Sequence, residues 1–258
     1  MSSKIDIHAH WYPAQWVRLL EKEGPGIGAE IGRNPKGQVT FGVPQYKATF
    51  QDSYIDLGAR IRMMDEARVD VHVLSLTQPM VYWAPADFGL KLAQSYNDGL
   101  AEAHLRHPER LLGLATLPMQ APELAVAEAR RAATLPGIRG IYMATHIMGR
   151  NLDEPDFWPV FACCEELGLP VFLHPVNPVG AERMRKYHLR NLIGNPTDTA
   201  IAAASLIFGG VVLALIGWLV AMLLLFRGAW GIGMSQSAYL RKSKISPIIC
   251  HPFSEFRP

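Results

Sequence analysis

Between Lys4 and Phe208 short runs of β-branched and aliphatic residues alternate with longer amphipathic stretches, and this alternation constrains the fold more than any other feature of the sequence. Strands separated by helices pair in parallel through right-handed crossovers, because a hairpin turn cannot join neighbours that far apart. Strands are expected over residues 4–10, 70–76, 111–117, 140–145 and 169–174. Helices are expected over 15–23, 55–66, 88–105, 122–133 and 157–167, several opened by an acid or proline and closed by glycine. The 258 residues suffice for one such core, since a (β/α) barrel is complete at roughly 200 to 250 residues. The fold class expected is α/β, a TIM-like (β/α) barrel.

One long excursion breaks the alternation. Residues 24–50 carry Pro25-Gly26, Asn34-Pro35-Lys36-Gly37 and a single β-like piece over 39–43. An insertion of that length after a first strand is expected to cover a site rather than fill a core. Gly24-Pro25-Gly26-Ile27-Gly28 neither follows a strand nor opens a helix, so it reads as a turn and not as a phosphate loop.

Charge is unevenly placed. Residues 1–198 hold 20 basic and 22 acidic side chains, while 199–258 hold five basic residues and one acid, Glu255. From Thr199 to Phe226 no charged residue or histidine occurs, and 211–226 is apolar apart from Gly217. That run passes the roughly 18-residue length of a membrane span, so residues 200–226 are a candidate membrane segment, the alternative being a barrel helix with an apolar continuation. The organisation expected is a barrel domain over 1–210 and an aberrant apolar, then basic, tail over 211–258. A net charge of +2 gives no reason to expect a nucleic-acid partner. The first residues carry no secretory pattern, and three cysteines, two adjacent at Cys163 and Cys164, cannot form a disulfide framework, so a cytoplasmic place is expected.

The strongest chemical signal is Ile5-Asp6-Ile7-His8-Ala9-His10. Side chains two apart on a strand share a face, so His8 and His10 point together while Ile5 and Ile7 pack on the other side. His-x-His alone is common in any sequence. A third imidazole, His174, ends the expected strand Leu169-Pro170-Val171-Phe172-Leu173-His174 at the rim where such barrels carry their catalytic residues. Three neutral imidazoles leave Zn2+ or a similar divalent ion its full charge, so a water bound to it loses a proton near neutral pH. His8, His10 and His174 are therefore the candidate metal ligands.

The other histidines are expected to be structural. His104 and His107 fall on a charged helix face, and His72 and His188 have no partner visible in sequence. His146, just past the fourth strand, is a candidate substrate contact. Cys163 and Cys164 read as buried thiols, and Cys250 and His251 lie in the tail.

Several motifs together resemble one family. Ile5-Asp6-Ile7-His8-Ala9-His10, Arg60-Ile61-Arg62-Met63-Met64-Asp65, Leu117-Pro118-Met119-Gln120-Ala121-Pro122-Glu123-Leu124, Phe172-Leu173-His174-Pro175 and Gly194-Asn195-Pro196-Thr197-Asp198-Thr199 are similar to the 2-amino-3-carboxymuconate 6-semialdehyde decarboxylases of the amidohydrolase superfamily. The resemblance runs from Lys4 to about Val211. It implies a TIM-like barrel of the metal-dependent hydrolase type and one zinc ion held in part by His8, His10 and His174. It also implies non-oxidative loss of CO2 from a small unsaturated carboxylate without an organic cofactor, a homodimer, and a place in tryptophan/kynurenine catabolism.

The sequence departs from that pattern in three places. The family's acid/base histidine on strand six and its metal-binding aspartate on strand eight have no counterpart, and no Asp follows Asp198. The abrupt change near Val211 is expected to reflect a frame disruption, leaving the barrel incomplete. Where the family uses an arginine of the excursion to hold a substrate carboxylate, no Arg lies between Arg33 and Arg60, and Lys47 is the nearest cation. The function expected is thus a zinc-dependent carboxy-lyase with impaired turnover. Its alternatives are a metal-dependent hydrolase on the same barrel and an inactive membrane-associated remnant.

Overall fold

The computed structural model of the protein describes residues 3–43, 46–51 and 54–212. The main sheet comprises β1 (Ile5–His10), β5 (Val71–Ser75), β6 (Leu111–Thr116), β7 (Ile138–Ala144) and β10 (Val171–His174), ordered β1-β5-β6-β7-β10 with every pairing parallel. Helices α1 (Ala14–Glu23), α2 (Leu57–Ala67), α3 (Ala86–Arg106), α4 (Pro122–Ala133) and α5 (Trp158–Glu166) connect these strands, and α6 (Asn195–Phe208) follows them. All five expected strands and all five expected helices are present, with ends displaced by one or two residues. The result is a curled sheet of parallel strands with helical crossovers, matching part of a TIM barrel.

Burial follows from the pattern that predicted the elements. α3 covers the sheet with Phe88, Leu92, Ala93, Tyr96, Leu100 and Ala103, recurring at helical spacing. One polar residue shares that face. Asn97 donates to the Thr116 carbonyl at 3.0 Å and to Glu128 Oε1 at 2.6 Å, and it accepts from Thr116 N at 2.9 Å. Its amide is satisfied in a site where an unpaired polar group would be costly, and it locks α3, β6 and α4 together.

Two glycines set the last strand. Gly168, at φ 65°, ends α5 in the left-handed region and lets the chain turn back toward β10. At Gly140 an added Cβ would stand 2.7 Å from the Pro170 carbonyl oxygen, so only glycine lets β10 approach β7 in this register.

The excursion is more ordered than its sequence suggests. It forms an antiparallel sheet of β2 (Glu30–Arg33), β3 (Val39–Val43) and β4 (Tyr46–Thr49). Only β3 buries most of its residues, which is why it alone was visible as a strand. A two-strand hairpin, β8 (His146–Ile147) with β9 (Arg150–Asn151), follows β7 and was likewise not expected.

Two expectations need correction. Ile5 and Ile7 do not pack on the far face of β1; they are 57% and 56% exposed. β1 is an edge strand that pairs only with β5 among the described residues. His104 is not on a solvated face, because β6 runs back beneath the end of α3 and the ring meets the Leu111 carbonyl at 2.8 Å. Among the described residues no helix is long and apolar enough to cross a membrane. The apolar run 199–226 begins within α6, but its part from residue 213 onward lies outside the described residues, as do Cys250 and His251.

Candidate metal centre

Among the described residues β1 and β10 are the two edges of the main sheet, yet the histidines at and near their ends meet. The ring centroids of His8 and His10 are 4.7 Å apart, those of His8 and His174 5.4 Å, and those of His10 and His174 5.0 Å. In a flat sheet, strands four places apart would be separated by about 19 Å. The contact therefore requires the strong curl that barrels have. One ring nitrogen from each of the three residues lies within 4.8 Å of the others, and among the described residues this is the only such group of three or more potential ligands.

The backbone prepares this meeting. β1 carries a one-residue bulge, since Asp6 pairs with His72 and Ala9 already pairs with Leu74. Within the bulge the Asp6 carboxylate accepts from His8 N at 2.8 Å. On the far edge, Thr145 N donates to the His174 carbonyl at 3.1 Å, and the Thr145 hydroxyl donates to the buried carboxylate of Asp198 on α6.

The polar atoms around the rings are unequally satisfied. His10 Nδ1 lies 3.1 Å from Ser75 Oγ, leaving its Nε2 to face His8 Nε2 at 3.0 Å. His174 Nδ1 is buried without any hydrogen-bond partner. Burial, followed by the neighbouring His174 and His8, lowers the His10 pKa to about 3, and burial together with His8 lowers that of His174 to about 4. Both rings are thus neutral at pH 7 and keep a lone pair. Two imidazole nitrogens on one divalent ion, each at about 2.0 to 2.1 Å, stand roughly 3.0 to 3.4 Å apart in ordinary geometries. The spacing, neutrality and orphaned nitrogen of this group fit that donor set.

A second polar chain, not apparent in the sequence, runs behind the centre. Arg60 of α2 is 2% exposed; it donates through NH2 to the His10 carbonyl, and its NH1 lies 3.2 Å from His72 Nδ1. His72 Nε2 faces Asp6 Oδ2 at 3.6 Å. Burial, then the charge of Arg60, lowers the His72 pKa, so the ring accepts from the guanidinium rather than opposing it with a second charge. His72 therefore has a partner after all, one contributed by another element. A signal existed: Arg60 and Met64, four apart, share the buried face of α2.

The two remaining candidates lie elsewhere. Lys47, on β4, reaches across the side-chain-free Gly42 to Glu30 at 3.1 Å, and both ends are exposed. His146 sits in the β8–β9 hairpin, where its Nδ1 accepts from Gly149 N at 3.1 Å. His146 is not one of the three-imidazole group. Tyr142 does adjoin it, with its ring 5.4 Å from His174 and 6.0 Å from His10, and burial holds its phenol well above the usual range.

Residues 5–215 match the amidohydrolase family. The chain is 37% identical over 212 residues to a 2-amino-3-carboxymuconate-6-semialdehyde decarboxylase of Dictyostelium discoideum, covering 81% of this chain and 59% of the relative. Among solved structures, the apo form of Metarhizium anisopliae IDCase superposes with a TM-score of 0.70 at 26% identity, over 81% of this chain and 61% of that one. A dihydroxybenzoic acid decarboxylase from Polaromonas sp., with bound manganese and the inhibitor 2-nitroresorcinol, superposes with a TM-score of 0.60 at 26% identity, over 82% and 62%. The chain thus spans about three-fifths of the length of these relatives. In the order of its parallel strands as in its sequence from Ile5 onward, it belongs to the amidohydrolase family, which includes the decarboxylases just named.

Proposed function

We propose that His8, His10 and His174 hold one divalent metal ion and that the protein is a non-oxidative carboxy-lyase acting on a small unsaturated carboxylate. The observation that carries this reading is the convergence of three imidazoles from the two edges of the sheet, with the buried Nδ1 of His174 otherwise unsatisfied. A divalent ion bound there supplies positive charge that neutralises anionic substrate groups and lowers the pKa of water. The chain's own part is to keep two of the rings neutral by burial, to fix His10 through Ser75 and Arg60, and to fix the His174 backbone through Thr145. Loss of CO2 leaves an electron pair on carbon that must take up a proton. The acid/base histidine that the resemblance implies has no counterpart in the sequence, so low turnover belongs to the proposal, an absent acid/base group typically removing about 10² to 10⁴ in rate.

Zinc as the ion, an aminocarboxymuconate-semialdehyde-like substrate, a homodimer and a cytoplasmic place are parts of the same proposal and rest on the resemblance alone. Bound manganese in the Polaromonas relative makes manganese the other ion to assay. An ester or lactone hydrolase on the same centre is the second reading, favoured by the family's own description.

The test is metal analysis of the purified full chain beside His8→Ala and His174→Ala, with CO2 release and ester cleavage assayed in parallel. About one ion per chain, lost in both variants, with CO2 as the product, supports the reading. A folded protein without the ion refutes it, and ester cleavage without CO2 replaces it with the hydrolase. Recovery of the chain only in membranes would favour the remnant in which residues 200–226 insert.

A further inference from the structure

Arg60 is an expensive residue for its place. α2 buries two side chains, Met64 and Arg60, and the guanidinium is enclosed with no partner for its Nε. A cation buried in this way contributes little to stability beyond what an apolar side chain of similar volume would, so packing does not account for it.

What Arg60 does is close a loop of polar contacts that begins and ends on β1. The Asp6 carboxylate accepts from His8 N through Oδ1 at 2.8 Å and faces His72 Nε2 through Oδ2 at 3.6 Å. His72 Nδ1 lies 3.2 Å from Arg60 NH1, and Arg60 NH2 donates to the His10 carbonyl. One tautomer of the buried His72 ring serves both of its contacts. A guanidinium can only donate, so Nδ1 accepts and the proton sits on Nε2, toward Asp6.

The loop spans the bulge. Ile7 and His8 stand opposite Val73 alone, between the pairs Asp6–His72 and Ala9–Leu74. In a regular strand alternate residues are about 6.6 to 6.8 Å apart, with their side chains on one face. Here the ring centroids of His8 and His10 are 4.7 Å apart and their Nε2 atoms 3.0 Å, a convergence that the bend of a bulge permits. The loop's two backbone contacts, at His8 N and at the His10 carbonyl, hold the opposite ends of the His8-Ala9-His10 segment.

We propose that Arg60 is a positioning residue for the pair of imidazoles on β1. Acting with His72 and Asp6, it clamps both ends of His8-Ala9-His10 so that two rings converge on one ion. The inference rests on the reading that the three imidazoles form a metal centre, and it concerns how the first two are held.

Two measurements on the full chain test it, one of them without metal. In chelated protein the imidazole nitrogen resonances of His8 and His10 report the convergence of the rings, and zinc affinity, by competition with a chromophoric chelator, reports its use. Arg60→Gln is expected to shift both sets of resonances and to weaken zinc binding about 10- to 100-fold. Arg60→Lys, which keeps the charge without the fork, is expected to restore only part of the affinity. His72→Gln, whose amide can accept from Arg60 and donate to Asp6, is expected to bind zinc as the unaltered chain does, and His72→Leu to match Arg60→Gln. Met64→Ala removes the other buried side chain of α2, and should lower the melting temperature while leaving zinc affinity and the two rings' resonances unchanged. Unmoved resonances and affinity in Arg60→Gln, or an equal loss in Met64→Ala, would overturn the proposal and reduce Arg60 to packing. Should Arg60→Gln not fold, the His72 variants decide, and equal binding by His72→Leu and His72→Gln overturns it. Absence of zinc binding by the unaltered chain would refute the metal reading, while the resonances of the chelated protein would still decide whether Arg60 holds the pair.

Discussion

At the scale of single residues, the candidate centre is a set of bases kept uncharged by their surroundings. His10 and His174 have folded pKa values of about 3 and 4, against an ordinary value of 6.5, chiefly through burial. Between those values the unfolded chain binds protons that the folded chain refuses, so in metal-free protein their contribution to stability is complete above pH 6.5 and is lost as the pH falls toward 4 and below. A chelator-treated sample is expected to show a melting temperature that declines through that window. His10→Gln combined with His174→Gln should flatten the decline, and an equal slope in the double variant would show that other groups cause it. The residue types of this centre were legible because His10 and His174 end expected strands and His8 lies two residues before His10 on the same strand. Arg60 and His72 were not, since their bond joins a helix to a strand and neither carries a motif that announces the other.

At the scale of elements, periodicity foretold what burial enforces. α3 was legible because its apolar residues recur at the spacing of the face it buries, and β7 because it is a short, nearly continuous buried run. β2 and β4 were not, because most of their residues stay at least partly exposed and no alternation is required of them. The bulge in β1 was equally hidden, being a matter of pairing register rather than composition. Register also makes Gly140 a point of leverage. Gly140→Ala would set a methyl group 2.7 Å from the Pro170 carbonyl and force β10 away from β7. The expected cost is about 1 to 3 kcal/mol of unfolding free energy, read by urea denaturation, with weaker metal binding because His174 ends the displaced strand. Gly149→Ala is the control, another glycine at a turn but with nothing near its added Cβ. Its cost is confined to its φ of 90°, and it should leave metal affinity unchanged.

At the scale of the molecule, the proposed ion would act as a clasp between β1 and β10, the outermost strands of the main sheet among the described residues. β1 and β10 share no backbone pairing among the described residues, and the rings of His8 and His10 meet that of His174 between them. A ligand that binds only the folded chain stabilises it by about 2.7 kcal/mol at a hundredfold excess over its dissociation constant, and an ion that bridges two edges is in that position because the unfolded chain does not bring its ligands together. Adding manganese or zinc to chelated protein is therefore expected to raise the melting temperature by several degrees and to slow hydrogen exchange in both edge strands. The same addition to His174→Ala should leave β10 exchanging as it does without metal, because the ion would then be held by β1 alone. Lys47→Ala and His146→Ala should retain the full response, since Lys47 is engaged with Glu30 and His146 with Gly149 N. Protection gained in β1 but not in β10 of the unaltered chain would mean that His174 is no ligand and that the two edges meet only by packing.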